Sequence, residues 1–430
     1  MMRATKDSGF EWIGEIPTSW KLYKGKYMFT QRNLRGNAIE LQLLSPTQKY
    51  GVVPQSVYED RSGMNAVKLN ENANLSALKT IHKGDFCISL RSFQGGFEYS
   101  EYEGVVSPAY QVFYPVVKVA RGYYKYLFKE SGFIEKMNSY TMTLRDGKNI
   151  AFADFGNTYI PCPPVDEQQR IADFLDAKCA EIDALTADIQ TQIDTLEQYK
   201  RAVITETVTK GLNPDAEMKD SGIEWVGNMP SSWCVLKGKY LFAQRSLRGN
   251  SIELQLLSPT QKFGVIPQTL YEELSGMNAV KLNEKADLSL LKTIHQGDFC
   301  ISLRSFQGGF EYSKYEGVVS PAYQVFYPTV EIADGYYKYL FKEQGFIEKM
   351  NSYTMTLRDG KNIAFSDFGN TYIPYPPLQE QAEIAAYLNR KCDQIDILIA
   401  KKQQQLTMLD EYKKSLIFEH VTGKKEVPAL

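Results

Sequence analysis

The chain has 430 residues, 43% apolar and 23% charged, with a formal net charge of −2. This composition excludes a disordered chain and provides for two or three buried cores. No apolar run approaches the ~20 residues of a membrane span, and the opening MMRATKDSGFEW lacks a secretory stretch. Six cysteines without a C-x-x-C pair and three scattered histidines argue for reduced thiols and against a zinc site. The expectation is a cytoplasmic protein without membrane attachment or bound metal.

Taken in chain order, the elements occur twice. Asp7-Ser-Gly-Phe-Glu-Trp12 returns as Asp220-Ser-Gly-Ile-Glu-Trp225, and the same offset of 213 carries Trp20 to Trp233, Arg91 to Arg304 and Cys179 to Cys392. The blocks Glu40–Lys49, Thr80–Ser100 and Gly132–Phe152 are nearly identical to their second copies. Solenoid repeats run at ~20–50 residues, so this is a tandem duplication of a domain with its linker.

Residues 1–160 mix short β-rich runs (DFCISLRSF, YQVFYP) with Gly, Asn and Pro punctuation and one helix-like stretch, GYYKYLFKESGFIEKM. They read as a compact α+β head with an aromatic core. After Pro163-Pro164, Asp166 can cap a helix with Glu167 in its first turn, and no glycine or proline follows until Gly211. Its apolar positions are Ile171, Leu175, Ile182, Leu185, Ile189, Leu196, Tyr199 and Val203. Those at 175, 182, 189, 196 and 203 form a strict heptad seam, with a second seam at 171, 185 and 199. The head recurs at 213–373, and the helix at 374–430 with Ile384, Leu388, Ile395, Leu398, Leu409, Tyr412 and Leu416 in the same phase.

The expected architecture is therefore head (1–160), spacer helix (161–212), head (213–373), spacer helix with tail (374–430). The two helices pair as an antiparallel coiled coil with an internal pseudo-two-fold axis. One chain then mimics a symmetric dimer, the geometry that reads two inverted half-sites. A helix merely lying on its own head is the alternative.

Charge is uneven: residues 1–160 hold 20 Lys/Arg against 15 Asp/Glu, whereas 161–213 hold 5 against 10. Binding chemistry must be sought locally. No phosphate-loop, H-E-x-x-H or G-x-S-x-G pattern occurs, neither Pro-Pro pair has the flanks of an amino-methyltransferase motif, and His82 and His295 stand alone. The reading is a non-catalytic chain.

Each head carries polar, basic and aromatic residues on glycine-rich segments: Arg32 and Arg35; Gln48 and Lys49; Arg91, Ser92 and Gln94 before Gly95-Gly96; Arg145 and Lys148. The second copies are Arg245, Arg248, Gln261, Lys262, Arg304, Ser305, Gln307, Arg358 and Lys361. Arg forks onto guanine, Gln onto adenine, and glycine lets backbone approach phosphate. Elsewhere charge differs between copies: Arg61 faces Leu274, Lys118 Glu331, and Arg121 Asp334.

DSGFEWIGEIPTSW, KGDFCISLRSFQGG with GVVSPAYQVFYP, and IPCPPVDEQQRIADFLDAKCAEID, each with its second copy, resemble the specificity subunits of type I restriction–modification systems. The resemblance covers nearly the whole chain. It implies a subunit that reads double-stranded DNA and assembles with two methyltransferase subunits, together with nuclease–translocase subunits. S-adenosylmethionine, ATP and Mg would belong to those partners, and this chain would bind no cofactor. Family heads are commonly unlike; the near-identity here implies an interrupted palindrome. The rival reading is a coiled-coil scaffold that binds only proteins; an RNA binder would lack its usual aromatic signature.

Overall fold

The computed structural model describes residues 3–35, 41–66, 75–88, 96–140, 150–248, 254–278, 288–301, 309–353 and 363–427. The chain divides into two compact units, Met1–Gln190 with Gln404–Leu430, and Thr191–Gln403. The internal boundaries, 190 and 403, are separated by the sequence period of 213. Each unit thus contains one head, the first part of the long helix that follows it, and the last part of the other long helix.

In the first head a four-stranded antiparallel sheet runs in the order Phe29–Arg32, Gln111–Pro115, Phe86–Ile88, Phe97–Tyr99. Strand alternation gives it two buried faces. Phe86, Ile88, Phe97 and Phe113 enter the large aromatic cluster, whereas Cys87 and Val112 enter a smaller one with Leu44, Val52, Ile81 and Val106. Phe29 lies edge-on to Phe86, Phe113 and Phe128 at centroid distances of 5.9, 5.7 and 5.6 Å, the preferred arrangement of aromatic quadrupoles. The smaller cluster is closed by two strand pairs, Leu44–Thr47 with Gly51–Pro54 and Lys79–Ile81 with Gly104–Val106. Gly51 has φ +71°, and a Cβ there would stand 2.7 Å from the Tyr99 carbonyl oxygen. The second head repeats the sheet order with Phe242–Arg245, Gln324–Pro328, Phe299–Ile301 and Phe310–Tyr312.

The single helix-like stretch is two helices, Arg121–Leu127 and Ser131–Ser139. Glu130 separates them because its carboxylate caps the second, accepting the Gly132 and Phe133 N–H groups at 2.8 Å each.

The long helices span Val165–Lys210 and Leu378–Val421, 46 and 44 residues, or about 69 and 66 Å at 1.5 Å per residue. The first begins one residue ahead of Asp166, which lies inside the first turn. The start is instead fixed by buried Gln168, which donates to the Pro163 carbonyl at 2.8 Å and accepts the Ala120 N–H at 2.9 Å.

Within each unit the helix segments run antiparallel. In the first, Phe174 lies against His420, ring centroids 4.7 Å apart, and Asp183 meets Lys413 at 2.6 Å. In the second, Lys200 meets Asp396 at 2.6 Å and Gln192 meets Lys402. Ile171, Leu175, Ile182, Ile384, Leu388, Ile395 and Leu416 are buried, and Ile189, Leu196 and Leu409 half-buried. Leu185 (52% exposed) and Leu398 (47%) are not packed, and neither are Tyr199 and Tyr412. Two rows flank the seam, three or four residues on. The pairing buries the second, with Cys179, Ile193 and Cys392, and leaves the first to solvent beyond its buried members Ile171 and Ile384.

The helix ends complete the head cores. Leu416 and Val421 belong to the first aromatic cluster, Val203 and Val208 to the second. Tyr123 donates its hydroxyl to the Val421 carbonyl at 2.6 Å, and Tyr336 donates to that of Val208 at 2.9 Å.

Removing residues 404–430 is therefore expected to open the head at 1–160, the part of the chain most distant in sequence. Hydrogen exchange should show lost protection there and unchanged protection in the second head. Tyr123→Phe, which deprives a buried helix-terminal carbonyl of its donor, should cost about 1–3 kcal/mol in chemical denaturation.

Candidate nucleic-acid interface

Arg32 sits at the end of an outer strand of the central sheet, paired with Val112. Its Nε donates to Asp85 Oδ2 at 2.6 Å and its Nη2 to Oδ1 at 3.2 Å, while the guanidinium lies 4.2 Å from the Tyr114 ring centroid. Asp85 is buried and also accepts the His82 backbone N–H. Arg245 repeats this with Asp298, Tyr327 and the His295 N–H. A two-pronged charged pair stacked on an aromatic holds the guanidinium in place. Arg35 is exposed, with one hydrogen bond to the Ala77 carbonyl at 3.3 Å, and its backbone bridges Lys79.

Gln48 and Lys49 occupy the turn after Leu44–Thr47, with Lys49 5.2 Å from the Tyr50 ring centroid. In the second head the corresponding Gln261 and Lys262 line a cleft of about 700 Å³ together with Phe263, Tyr271, Ser320 and Tyr323. Here the copies diverge. In the first head the Tyr50 hydroxyl donates to the Arg61 carbonyl and the Arg61 guanidinium lies 5.8 Å from its ring; Phe263 and Leu274 have neither group.

Arg91, Ser92, Gln94, Arg145 and Lys148, with Arg304, Ser305, Gln307, Arg358 and Lys361, lie outside the described residues. Their flanks are described, and they converge. Ile88, the last described residue before the 89–95 segment, pairs with Gln111. The Gln111 side chain donates to the Ile150 carbonyl at 2.9 Å and accepts the Phe152 N–H at 2.8 Å, just after the 141–149 segment. Gln324 makes the same two bonds to Ile363 and Phe365, at 2.8 Å each. The residue before the first polar segment and the residues after the second are thus tied to one point of the sheet. Neither Gln111 nor Asp85 is signalled by local sequence texture.

Beside the return of the first segment lies Glu98, buried, with one oxygen 2.6 Å from the Lys129 ammonium and the other without a hydrogen-bond partner. Lys129 also donates to the Gln48 carbonyl at 3.5 Å. Burial pushes the Glu98 carboxyl up to about 7, against the opposing pull of Lys129. Glu311 with Lys342 repeats the pair and the upward direction. The described residues contain no cluster of His, Cys, Asp or Glu able to hold a metal ion, and no helix long and apolar enough to cross a membrane.

Duplicated α+β heads, each continued by a long helix, define a class of two-headed proteins. The chain matches the type I restriction modification DNA specificity domain over residues 21–195 and 276–408, and belongs to that family. It is 27% identical over 312 residues to the type I restriction enzyme MjaVIII specificity subunit of Methanocaldococcus jannaschii, covering 68% of each chain. It is 25% identical over 280 residues to the MjaX specificity subunit of the same organism, spanning 62% of this chain and 59% of that protein. Among solved structures, a chain from a study of complex assembly and conformational transition of the type I R-M system superposes with a TM-score of 0.69. It shares 16% identity and covers 95% of this chain and 99% of that one. The HsdS subunit from Thermoanaerobacter tengcongensis gives a TM-score of 0.53 at 15% identity, covering 97% and 100%. These two likenesses establish the fold.

The buried carboxylates set a pH dependence. Because the Glu98 carboxyl is raised in the folded chain, the native state holds more protons than the unfolded state between its ordinary value and about 7. Stability from this group is therefore fullest at the acid end of that window and falls as pH rises through it. The thermal midpoint of wild type, measured relative to E98Q/E311Q, should rise as pH is lowered from 7.5 to 5.5. Parallel pH profiles would show that the pair does not titrate there.

Proposed function

We propose that this chain is the DNA-reading, non-catalytic subunit of a type I restriction–modification complex. Each head reads one half of a bipartite site in duplex DNA. The observation that carries this reading is the anchor at Gln111 and Gln324, which brings one flank of each of the two Arg-bearing polar segments to one place in each head. Base edges are recognised by Arg, Gln and Ser side chains, and phosphates by lysines and glycine backbone. The heads preserve all nine candidate positions, from Arg32 to Lys148, in their second copies, so the two half-words are the same word on opposite strands, with the long helices setting the unread gap.

Two methyltransferase subunits dock on the helices. The exposed apolar row supports this: Leu185 and Tyr412 in the first unit, Tyr199 and Leu398 in the second, present large apolar side chains that the pairing leaves unburied. S-adenosylmethionine belongs to those partners, which flip and methylate adenine. ATP and Mg belong to the nuclease–translocase subunits.

Co-expression with the methyltransferase followed by genome-wide mapping of methylated adenines is expected to return an interrupted palindrome. Two unrelated half-words would refute the equivalence of the heads. R91A/R304A should lose about 1–3 kcal/mol per base contact on the specific site while retaining affinity for unrelated duplex. Wild-type binding that does not weaken with salt would instead favour a protein-binding scaffold.

A further inference from the structure

We propose that Arg35 with Lys79, and Arg248 with Lys292, form a clamp for one backbone phosphate of duplex DNA in each head. The inference rests on the DNA-reading function above and assigns a role to two lysines that stand in no glycine-rich segment. Arg35 and Lys79 are directly opposite each other in an antiparallel bridge, as are Arg248 and Lys292. Residues so placed project from the same face with Cβ atoms about 4.5–5.5 Å apart. Like charges in that position destabilise the pairing, yet both heads retain them while other basic positions such as Arg61 and Arg121 have changed.

No carboxylate neutralises either pair among the described residues. Lys79 donates to the Tyr110 carbonyl at 2.7 Å and Lys292 to that of Tyr323 at 2.6 Å. Two other cations of the head do have carboxylate partners: Arg32 has Asp85 and Lys129 has Glu98. The cost shows on the lysine. Burial pushes the Lys79 ammonium below the ordinary lysine range; the Cys87 sulfur opposes this and the Arg35 guanidinium adds to it. A singly or doubly charged oxyanion between a guanidinium fork and an ammonium point charge removes that repulsion and uses both donors.

The neighbourhood indicates which oxyanion. Tyr323, whose carbonyl fixes Lys292, lines the same cleft as Gln261 and Lys262. A phosphate held at the clamp therefore lies beside side chains suited to base edges, as a DNA backbone does.

The test compares full-length wild type with K79Q/K292Q, folding being checked by circular dichroism, in duplex-binding titrations across salt concentrations. Each phosphate contact contributes about 0.9 to the slope of log K against log salt, so the variant slope should be shallower by about 1.8. The loss should be equal on target and unrelated duplexes, and K79R/K292R should restore the slope. If K79Q/K292Q does not fold, R35Q/R248Q, altered at exposed side chains, reads the same slope. Wild-type binding with an unchanged variant slope overturns the clamp alone. Protection of wild type by inorganic phosphate in thermal melts, with the DNA slope still unchanged, assigns the site to a free anion and also overturns it. A wild-type chain that does not bind duplex overturns the underlying reading and the clamp together.

Discussion

The structure depends on an exchange of helix ends. Neither head closes its aromatic core with residues from its own sequence repeat alone. The first takes Leu416 and Val421 from the second long helix, and the second takes Val203 and Val208 from the first. The hydroxyls of Tyr123 and Tyr336 seal the contact by satisfying carbonyls at the helix termini, where no intrahelical donor remains. A helix end buried in this way cannot slide or rotate without opening a core, so the register of the antiparallel pairing follows from head packing as much as from the heptads. Ion pairs such as Lys200–Asp396 are half-exposed and add little by comparison.

Within each head, the sheet separates two tasks. Its aromatic face is a packing surface, with Phe29, Phe86, Phe97 and Phe113 repeated as Phe242, Phe299, Phe310 and Phe326, and its aliphatic face carries the strand pairs and turns on which the polar residues sit. Buried carboxylates stand at the seam between them. Asp85 restrains Arg32 and Glu98 restrains Lys129, so these cations serve as rigid posts, whereas Arg35 and Lys79 bond backbone carbonyls, those of Ala77 and Tyr110. The copies are not identical in such details. Trp233 donates its indole N–H to Glu380 at 2.8 Å, but Arg3 occupies the equivalent Glu167 and the Trp20 N–H has no partner.

Much of this was legible in the sequence, and the remainder failed for identifiable reasons. The period of 213 reveals the two heads, and the absence of glycine and proline reveals the helices. Composition changes at Pro163, but compaction changes inside the helices, because contacts made by a helix end with a distant head leave no local mark. The heptad seam was visible at Leu175, Ile182 and Leu388. The flanking row was not, since Leu185 is more apolar than Thr186, and Tyr199 than Lys200, and yet both face outward. Arg32 and Arg35 look alike in sequence; only Asp85, 53 residues away, separates an anchored arginine from an exposed one. Lys79 was missed because nothing in Lys-Thr-Ile distinguishes it from a solvated strand residue.

The anchoring glutamine at 111 has an evolutionary corollary. Since it holds Ile88 before one polar stretch and Ile150 after the other, residues between Ile88 and Phe97, or between Tyr140 and Ile150, can be exchanged from fixed attachment points while the hydrophobic interior stays as it is. Such modularity would let a lineage alter those stretches by swapping a handful of codons, without relearning how to fold.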